Sequence, residues 1–258
     1  MIDETVTEKI KQAAALIHES TFVTAFTGAG ISTDSGIPDF RSPDSGLWSN
    51  VDPMAVASIY GFKRDPQAFY DWVRPLTSVT LAAQPNPAHN ALVDLEKMGL
   101  LKAIITQNID MLHTRAGNTH IYELHGHMRS ATCIHCFASY DGETVLQQYL
   151  DDGCVPRCSK CRDGILKPDV ILFGEQLPIR ELQGAQDAAR KCDLMIVVGS
   201  SLEVAPASDI PVLAQRTGAR IVIVNLQPTH VDRYADVVIH GRAAHVRPEI
   251  IRHLEALS

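Results

Sequence analysis

Two C-x-x-C pairs, Cys133-Ile134-His135-Cys136 and Cys158-Ser159-Lys160-Cys161, are separated by 21 residues, close to the roughly 15–20 of a zinc ribbon. Each pair can form a knuckle that aims two thiolates at one ion. Four thiolates complete a tetrahedral Zn²⁺ site with no position left for water, so the metal expected here is structural. Cys154 and His135 are spare ligands by proximity, and Cys192, just before an apolar run, reads as a core thiol.

Thr106-Gln107-Asn108-Ile109-Asp110 carries amides and a carboxylate directly after the apolar run 101–105. In doubly wound α/β sheets ligands lie beyond the carboxyl ends of the strands, so these groups face a crevice, unless Asn108 and Asp110 only cap the next helix. Gly28-Ala29-Gly30-Ile31-Ser32-Thr33 follows another short β-forming run, residues 22–26. Its backbone N–H groups could approach a pyrophosphate, although Thr33 stands where a dinucleotide fingerprint has its third glycine. Gly199-Ser200-Ser201 and Asn225 likewise follow apolar runs, at 194–198 and 221–224. Small, hydrogen-bonding residues thus recur at strand ends, where a nucleotide would lie.

The elements that must position these groups are legible from periodicity. Val6, Ile10, Ala13, Ala14 and Ile17 have helical spacing, with Thr5 and Glu8 as a possible capping box. The nearly continuous apolar runs, with another at 237–239, read as strands buried on both faces. Helical stretches at 88–98 and 178–191 lie between them, and alternation of this kind implies a parallel sheet. Two regions break the rhythm: 36–87 is rich in proline and aromatics, and 126–169 holds five of the six cysteines. The fold expected is α/β. A large domain would comprise residues 1–35, 88–125 and 170–258, and a smaller one 36–87 and 126–169.

At 258 residues and 45% hydrophobic content the chain can bury a sizeable core. A net charge of -7 disfavours direct nucleic-acid binding, which would otherwise suit a zinc-ribbon protein. No apolar run approaches the roughly 20 residues of a membrane helix, and the N-terminus lacks a secretory pattern. With paired thiols, these features lead to an expectation of a cytoplasmic protein and no membrane partner.

In combination, Gly28-Ala29-Gly30-Ile31-Ser32, Gly36-Ile37-Pro38-Asp39-Phe40-Arg41, Thr106 to Asp110, His125-Gly126, both cysteine pairs, Phe173-Gly174-Glu175 and Gly199-Ser200-Ser201-Leu202 resemble the sirtuin family. The match keeps the family's order over nearly the whole chain. It implies a Rossmann-type large domain, a smaller zinc-ribbon plus helical domain, and an NAD-dependent protein-lysine deacetylase acting on an acetylated lysine in a protein or peptide. In the chemistry it implies, the acyl oxygen attacks C1′ of the nicotinamide ribose and nicotinamide leaves. A histidine then activates the ribose hydroxyls, and O-acetyl-ADP-ribose is released. His125 holds the matching position; from the residues alone His127 would serve nearly as well.

The resemblance extends to the other site residues. Asn108 would act with His125, Gln107 and Asn108 orienting the ribose and a water, Ile109 lining the apolar pocket and Asp110 accepting from the carboxamide. Gly28, Ala29, Gly30, Thr33, Asp39, Phe40 and Arg41 would lie along NAD, and Gly199, Ser200, Ser201, Asn225 and Ala243 on its adenosine side. Cys133, Cys136, Cys158 and Cys161 would hold Zn²⁺. Val170, Phe173, Gly174, Glu175, Leu202 and Val204 would flank a substrate peptide added as a strand. Acidic-acyl specialists carry a Tyr-x-x-Arg pair after the segment matching Gly46-Leu47-Trp48; here Ser49-Asn50-Val51-Asp52 follows, which disfavours desuccinylation. The remaining rivals are an ADP-ribosyltransferase, a remover of longer acyl groups, and an NAD-using oxidoreductase, which would explain neither the zinc pairs nor His125. Arg162 follows Cys161 where the family often has glycine.

Overall fold

The computed structural model describes residues 4–39 and 52–256. Helix α1 (Glu4–Glu19) leads into β1 (Val23–Thr27). Helices α2 (Pro53–Val56), α3 (Ile59–Arg64), α4 (Pro66–Ala82) and α5 (Pro87–Lys97) precede β2 (Leu101–Thr106), α6 (Leu112–Ala116) and β3 (Ile121–Glu123). The cysteine-rich stretch forms β4 (Gly126–Cys133), β5 (Ser139–Asp141), α7 (Gly142–Asp152) and β6 (Leu166–Val170). The chain then runs through α8 (Ile179–Lys191), β7 (Leu194–Val198), α9 (Asp209–Arg216), β8 (Arg220–Asn225), β9 (Val237–His240) and α10 (Ala243–Glu255).

Six strands form one parallel sheet in the order β3-β2-β1-β7-β8-β9, and β5-β4-β6 form a separate antiparallel sheet. This is the doubly wound architecture expected from the alternating runs. Period-2 side-chain alternation feeds two cores. Leu194, Ile196 and Val198 of β7 join the cluster under α1, α5 and α10, while Met195 and Val197 join the one under α8. Thr5 lies within the first turn of α1, which begins at Glu4, so the capping box anticipated from Thr5 and Glu8 does not start this helix. Strand β3 has only three residues, too few for periodicity to reveal.

A third apolar cluster joins the two interrupting regions. Phe62, Phe69, Tyr70, Val73 and Leu76 from α3 and α4 pack with Met128, Leu146 and Tyr149 from β4 and α7. The Tyr70 and Tyr149 rings stand 4.8 Å apart, and the Tyr70 hydroxyl donates to the Leu166 carbonyl at 2.6 Å.

Strand order reverses between β1 and β7, and a crevice opens at such a switch point. The loops leaving the two strands touch: Gly28 N–H donates to Val198 O at 3.1 Å and Gly30 N–H to Gly199 O at 2.8 Å. A Cβ on Gly30 would lie 2.8 Å from Gly199 Cα, and one on Gly28 would lie 2.7 Å from Gly199 O. These glycines therefore let two backbones meet, a packing reason beyond any approach to phosphate. Relieving such a contact costs about 1–3 kcal/mol, and at this size each kcal/mol moves the thermal midpoint by roughly 2–4 °C. Gly30→Ala is thus expected to lower the melting temperature by several degrees, and an unchanged midpoint would show that the loops do not press on each other.

Candidate active site and metal centre

A cavity of about 1010 Å³ opens at the switch point. The loop after β1 contributes Gly28, Ala29, Gly30 and Thr33, with Asp39 beyond it. The loop after β2 contributes Gln107, Asn108 and Ile109, and the loop after β7 contributes Gly199, Ser200, Ser201 and Val204. Asn225 stands at the end of β8 and Ala243 at the start of α10. His125, Val170, Phe173, Gly174 and Glu175 complete the sequence-expected wall. Phe40, Arg41 and residues 46–51 lie outside the described residues.

Two expected residues are not on that wall. Leu202 is 1% exposed and packs in the core cluster beneath the sheet. Ser200 Oγ accepts its N–H at 3.2 Å, and at φ 58° the backbone turns the side chain inward. Asp110 is buried behind the Asn108 loop, where Oδ2 accepts from Ser32 Oγ at 2.6 Å and Oδ1 from Leu112 N–H at 2.9 Å. The carboxylate does act as a local cap on α6, but with one bond on each oxygen it keeps acceptor capacity. Burial raises its pKa, and the Ser32 and Leu112 hydrogen bonds oppose that shift.

Asn108 is held from three sides. Its N–H donates to Thr106 Oγ1 at 3.0 Å, and Nδ2 donates to Gly28 O at 3.1 Å and Ser32 Oγ at 3.3 Å. The side-chain amide is thereby oriented with Oδ1 the atom left for a ligand. Gln107 Nε2 donates to Ser200 Oγ at 2.8 Å, linking the β2 and β7 loops.

Beside Gly126, His125 donates from Nδ1 to Gln107 O across 3.0 Å, which assigns the tautomer and frees Nε2 as an acceptor. Burial holds its pKa below the ordinary 6.5, partly offset by that bond. Gly126 has φ 73°, and a Cβ there would meet Asp169 O at 2.1 Å. Only glycine allows β4 to start against β6 so closely beside the histidine. His127 does not line the cavity, so position separates the two candidate histidines.

The remaining wall escaped sequence reasoning. Phe69, Trp72, Val73 and Leu76 of α4, Met128 of β4 and Leu146 of α7 form an apolar arm, and Leu177, Ile179 and Leu182 line the cavity beside α8. Their helical or alternating spacing is that of ordinary core. Arg242, paired with Asp34 at 3.0 Å, also lines the cavity and had no motif to mark it.

The four cysteines of the two pairs converge, with all sulfurs within 4.8 Å of one another. Cys133 and Cys161 Sγ are 3.7 Å apart, and Cys136 and Cys158 Sγ 3.5 Å. A tetrahedron with Zn–S of about 2.3 Å has edges of about 3.8 Å, so the donor set fits Zn²⁺. Backbone N–H groups of Cys136, Cys161 and Gly164 point at the sulfurs at 3.3–3.4 Å, favouring thiolates. Gly164 is needed there, since a Cβ would fall 2.2 Å from Cys133 Sγ. Each knuckle ends in a left-handed residue, Phe137 at φ 60° and Arg162 at φ 67°, so Arg162 makes the turn where glycine was expected. Cys154 and His135 are exposed and stand outside the four-sulfur cluster. Cys192 is a buried core thiol, pushed up to about 11 by desolvation. Among the described residues no helix is long and apolar enough to cross a membrane.

Purified protein should carry one tightly held zinc, lost in Cys158→Ser and Gly164→Ala but kept in Cys154→Ser, as mass spectrometry of the metal content will report. A metal-free preparation that is fully folded would contradict the assignment.

A family model described as the Sir2 family matches residues 28–206. The NAD-dependent protein deacylase 2 of Archaeoglobus fulgidus is 47% identical over 250 residues, covering 97% of this chain and 98% of the relative. The NAD-dependent protein deacetylase of Sulfolobus acidocaldarius is 46% identical over 250 residues, covering 97% of each chain. A solved structure of Sir2Af2 bound to a myristoylated histone peptide superposes with a TM-score of 0.83 at 41% identity, covering 97% of this chain and 98% of that one. With a family model matched over residues 28–206 and relatives 46–47% identical along nearly their whole length, this chain belongs to the Sir2 family.

Proposed function

We propose that this chain is an NAD-dependent protein-lysine deacetylase, moving the acetyl group of an acetyl-lysine onto ADP-ribose with release of nicotinamide. The observation that carries the reading is the His125 geometry: a tautomer fixed by Gln107 O, with Nε2 free in a residue that lines the cavity beside Asn108. NAD supplies an anomeric carbon whose bond to nicotinamide can break. Asn108 Oδ1 and Gln107 hold the ribose, and His125 Nε2 takes the proton of a ribose hydroxyl as it becomes nucleophilic. Ile109 and, outside the described residues, Phe40 exclude water, while Asp110 takes the carboxamide. Gly28, Ala29, Gly30, Thr33, Asp39 and Arg41 serve the phosphates and nicotinamide ribose, and Gly199, Ser200, Ser201, Asn225 and Ala243 the adenosine. Such fixed donors and acceptors pre-order the reacting groups before reaction begins.

The substrate peptide adds as a strand along Val170, Phe173, Gly174 and Glu175, facing the loop of Leu202 and Val204. Glu175 supports this turn by accepting from Leu172 N–H at 2.8 Å and Lys167 Nζ at 3.1 Å. The four cysteines hold Zn²⁺ away from the reacting atoms, in a small domain of residues 36–87 and 126–169 set against the large one. Six cysteines, four gathered as a metal-binding set and two single thiols, suit a cytoplasmic location.

With NAD and an acetyl-lysine peptide, nicotinamide release should match deacetylation one for one, and His125→Ala should lose at least about a hundredfold in kcat/KM. NAD recovered intact or reduced, or full activity in His125→Ala, would sink the reading; label on protein instead of free acetyl-ADP-ribose would favour ADP-ribosyl transfer. A lowered histidine pKa puts the acid limb of kcat/KM below pH 6.5. The same shift makes the folded chain bind fewer protons than the unfolded one just below pH 6.5, so this contribution to stability is lost as pH falls through that window. An acid limb centred above 6.5 would show that burial does not hold the His125 pKa down, and its persistence in His125→Ala would exclude His125 as its source.

The apolar arm favours a second reading, removal of longer acyl groups by the same site. It runs between α4 and Leu146, where a hydrocarbon chain would be buried at about 0.8 kcal/mol per CH₂. Val73→Phe should cut turnover of a long-chain acyl peptide by about tenfold while changing that of the acetyl peptide little. Equal losses on both peptides would assign the arm to core packing alone.

A further inference from the structure

Two buried histidines stand behind the cavity and take no part in the chemistry described above. His113 of α6 and His89 of α5 are both under 3% exposed, with ring centroids 5.0 Å apart. His89 Nδ1 accepts Asn86 N–H at 3.3 Å, and burial holds its pKa down at about 4, so it is a neutral neighbour for His113. His113 Nε2 meets Thr27 Oγ1 at 2.9 Å, Thr27 Oγ1 meets Thr106 Oγ1 at 2.8 Å, and Thr106 Oγ1 accepts the Asn108 N–H at 3.0 Å. A continuous buried line of polar atoms therefore runs from α6 through the paired ends of β1 and β2 to the backbone N–H of Asn108, a residue that lines the cavity.

Burying an imidazole and two hydroxyls costs free energy that an apolar trio of the same shape would avoid. Here the return is directional. Thr106 Oγ1 can fix the Asn108 N–H only while its own rotamer is fixed, and Thr27 and His113 fix it. On the far side, Gly28 O and Ser32 Oγ hold the Asn108 side chain, so the two supports together leave Oδ1 one orientation.

We propose that His113 is a positioning residue for Asn108, acting through Thr27 and Thr106 to aim the Asn108 amide at the ribose. This rests on the reading that Asn108 contacts the ribose, and it goes beyond that reading by assigning a role to groups that touch neither NAD nor peptide. Since about 1 Å of misplacement can cost a hundredfold, loosening the line should appear in kcat rather than in peptide binding.

The test is steady-state kinetics of the zinc-loaded enzyme with NAD and acetyl-lysine peptide. Thr27→Val and His113→Phe keep volume and remove the polar atom; each should lower kcat by about tenfold or more with peptide KM within about twofold. His113→Gln, which keeps a nitrogen near the Nε2 position, should restore most of kcat. Thr27→Val added to Asn108→Ala should cost nothing further, as residues acting through one group are not additive. Parental kcat in both Thr27→Val and His113→Phe, or losses that multiply in the double variant, would overturn the proposal. Should His113→Phe fail to fold, Thr27→Val decides. Parental kcat in Asn108→Ala would overturn the reading of Asn108 itself, whereas a crippled Asn108→Ala beside a normal Thr27→Val overturns only the role of the buried line.

Discussion

The whole site depends on two backbones being allowed to touch where β1 and β7 end. Gly28, Gly30 and Gly199 meet with no room for a Cβ on any of them, and Gly199 itself has φ 61°. Because strand order reverses at this junction, the crevice is a property of sheet topology, and the glycines decide how tightly its floor is drawn. Asn108 inherits its place from that floor, since its Nδ2 donates to the carbonyl of Gly28. His125 inherits its own through Gln107, whose side chain reaches across to Ser200.

Polar groups in the cradle are arranged so that burial does not leave them unmatched. Ser32 gives its proton to Asp110 while receiving from Asn108, and Asp110 also closes the first turn of α6. Each bond is worth only about 1 kcal/mol net, but leaving one of these donors or acceptors unpaired in the interior costs more than that. The arrangement is therefore rigid because its alternatives are expensive. Such rigidity is what a reaction needs when two large substrates must meet at one carbon atom.

Much of this was legible in the residues. The run 194–198 coincides with β7, and the other apolar runs lie within a residue or two of β1, β2, β8 and β9, because strands buried on both faces have nothing polar to blur them. The paired cysteines gathered as their spacing implied, with Cys154 and His135 left outside the cluster. Strand β3 escaped because three residues carry no period, and it is the pairing with β2 at the sheet edge that defines it. Leu202 neighbours residues on the cavity wall, but a positive φ that no spacing predicts turns its side chain into the core. The apolar arm was invisible for a related reason. Phe69, Val73 and Leu76 at helical spacing are indistinguishable from interior packing until the cavity beside them is seen.

The walls of the cavity have two separate origins. Gly28, Asn108, Ser200 and Asn225 come from strand ends of the parallel sheet, whereas Trp72, Val73, Met128 and Leu146 come from the helices and small sheet gathered in the third apolar cluster. The two sets meet where Ile109 and Met111, from the loop after β2, pack against the third apolar cluster. Substitutions among the helix and small-sheet side chains can reshape the apolar arm one methyl group at a time without altering the backbone meeting of the β1 and β7 loops. A lineage built this way can explore new substrates without first surrendering its chemistry.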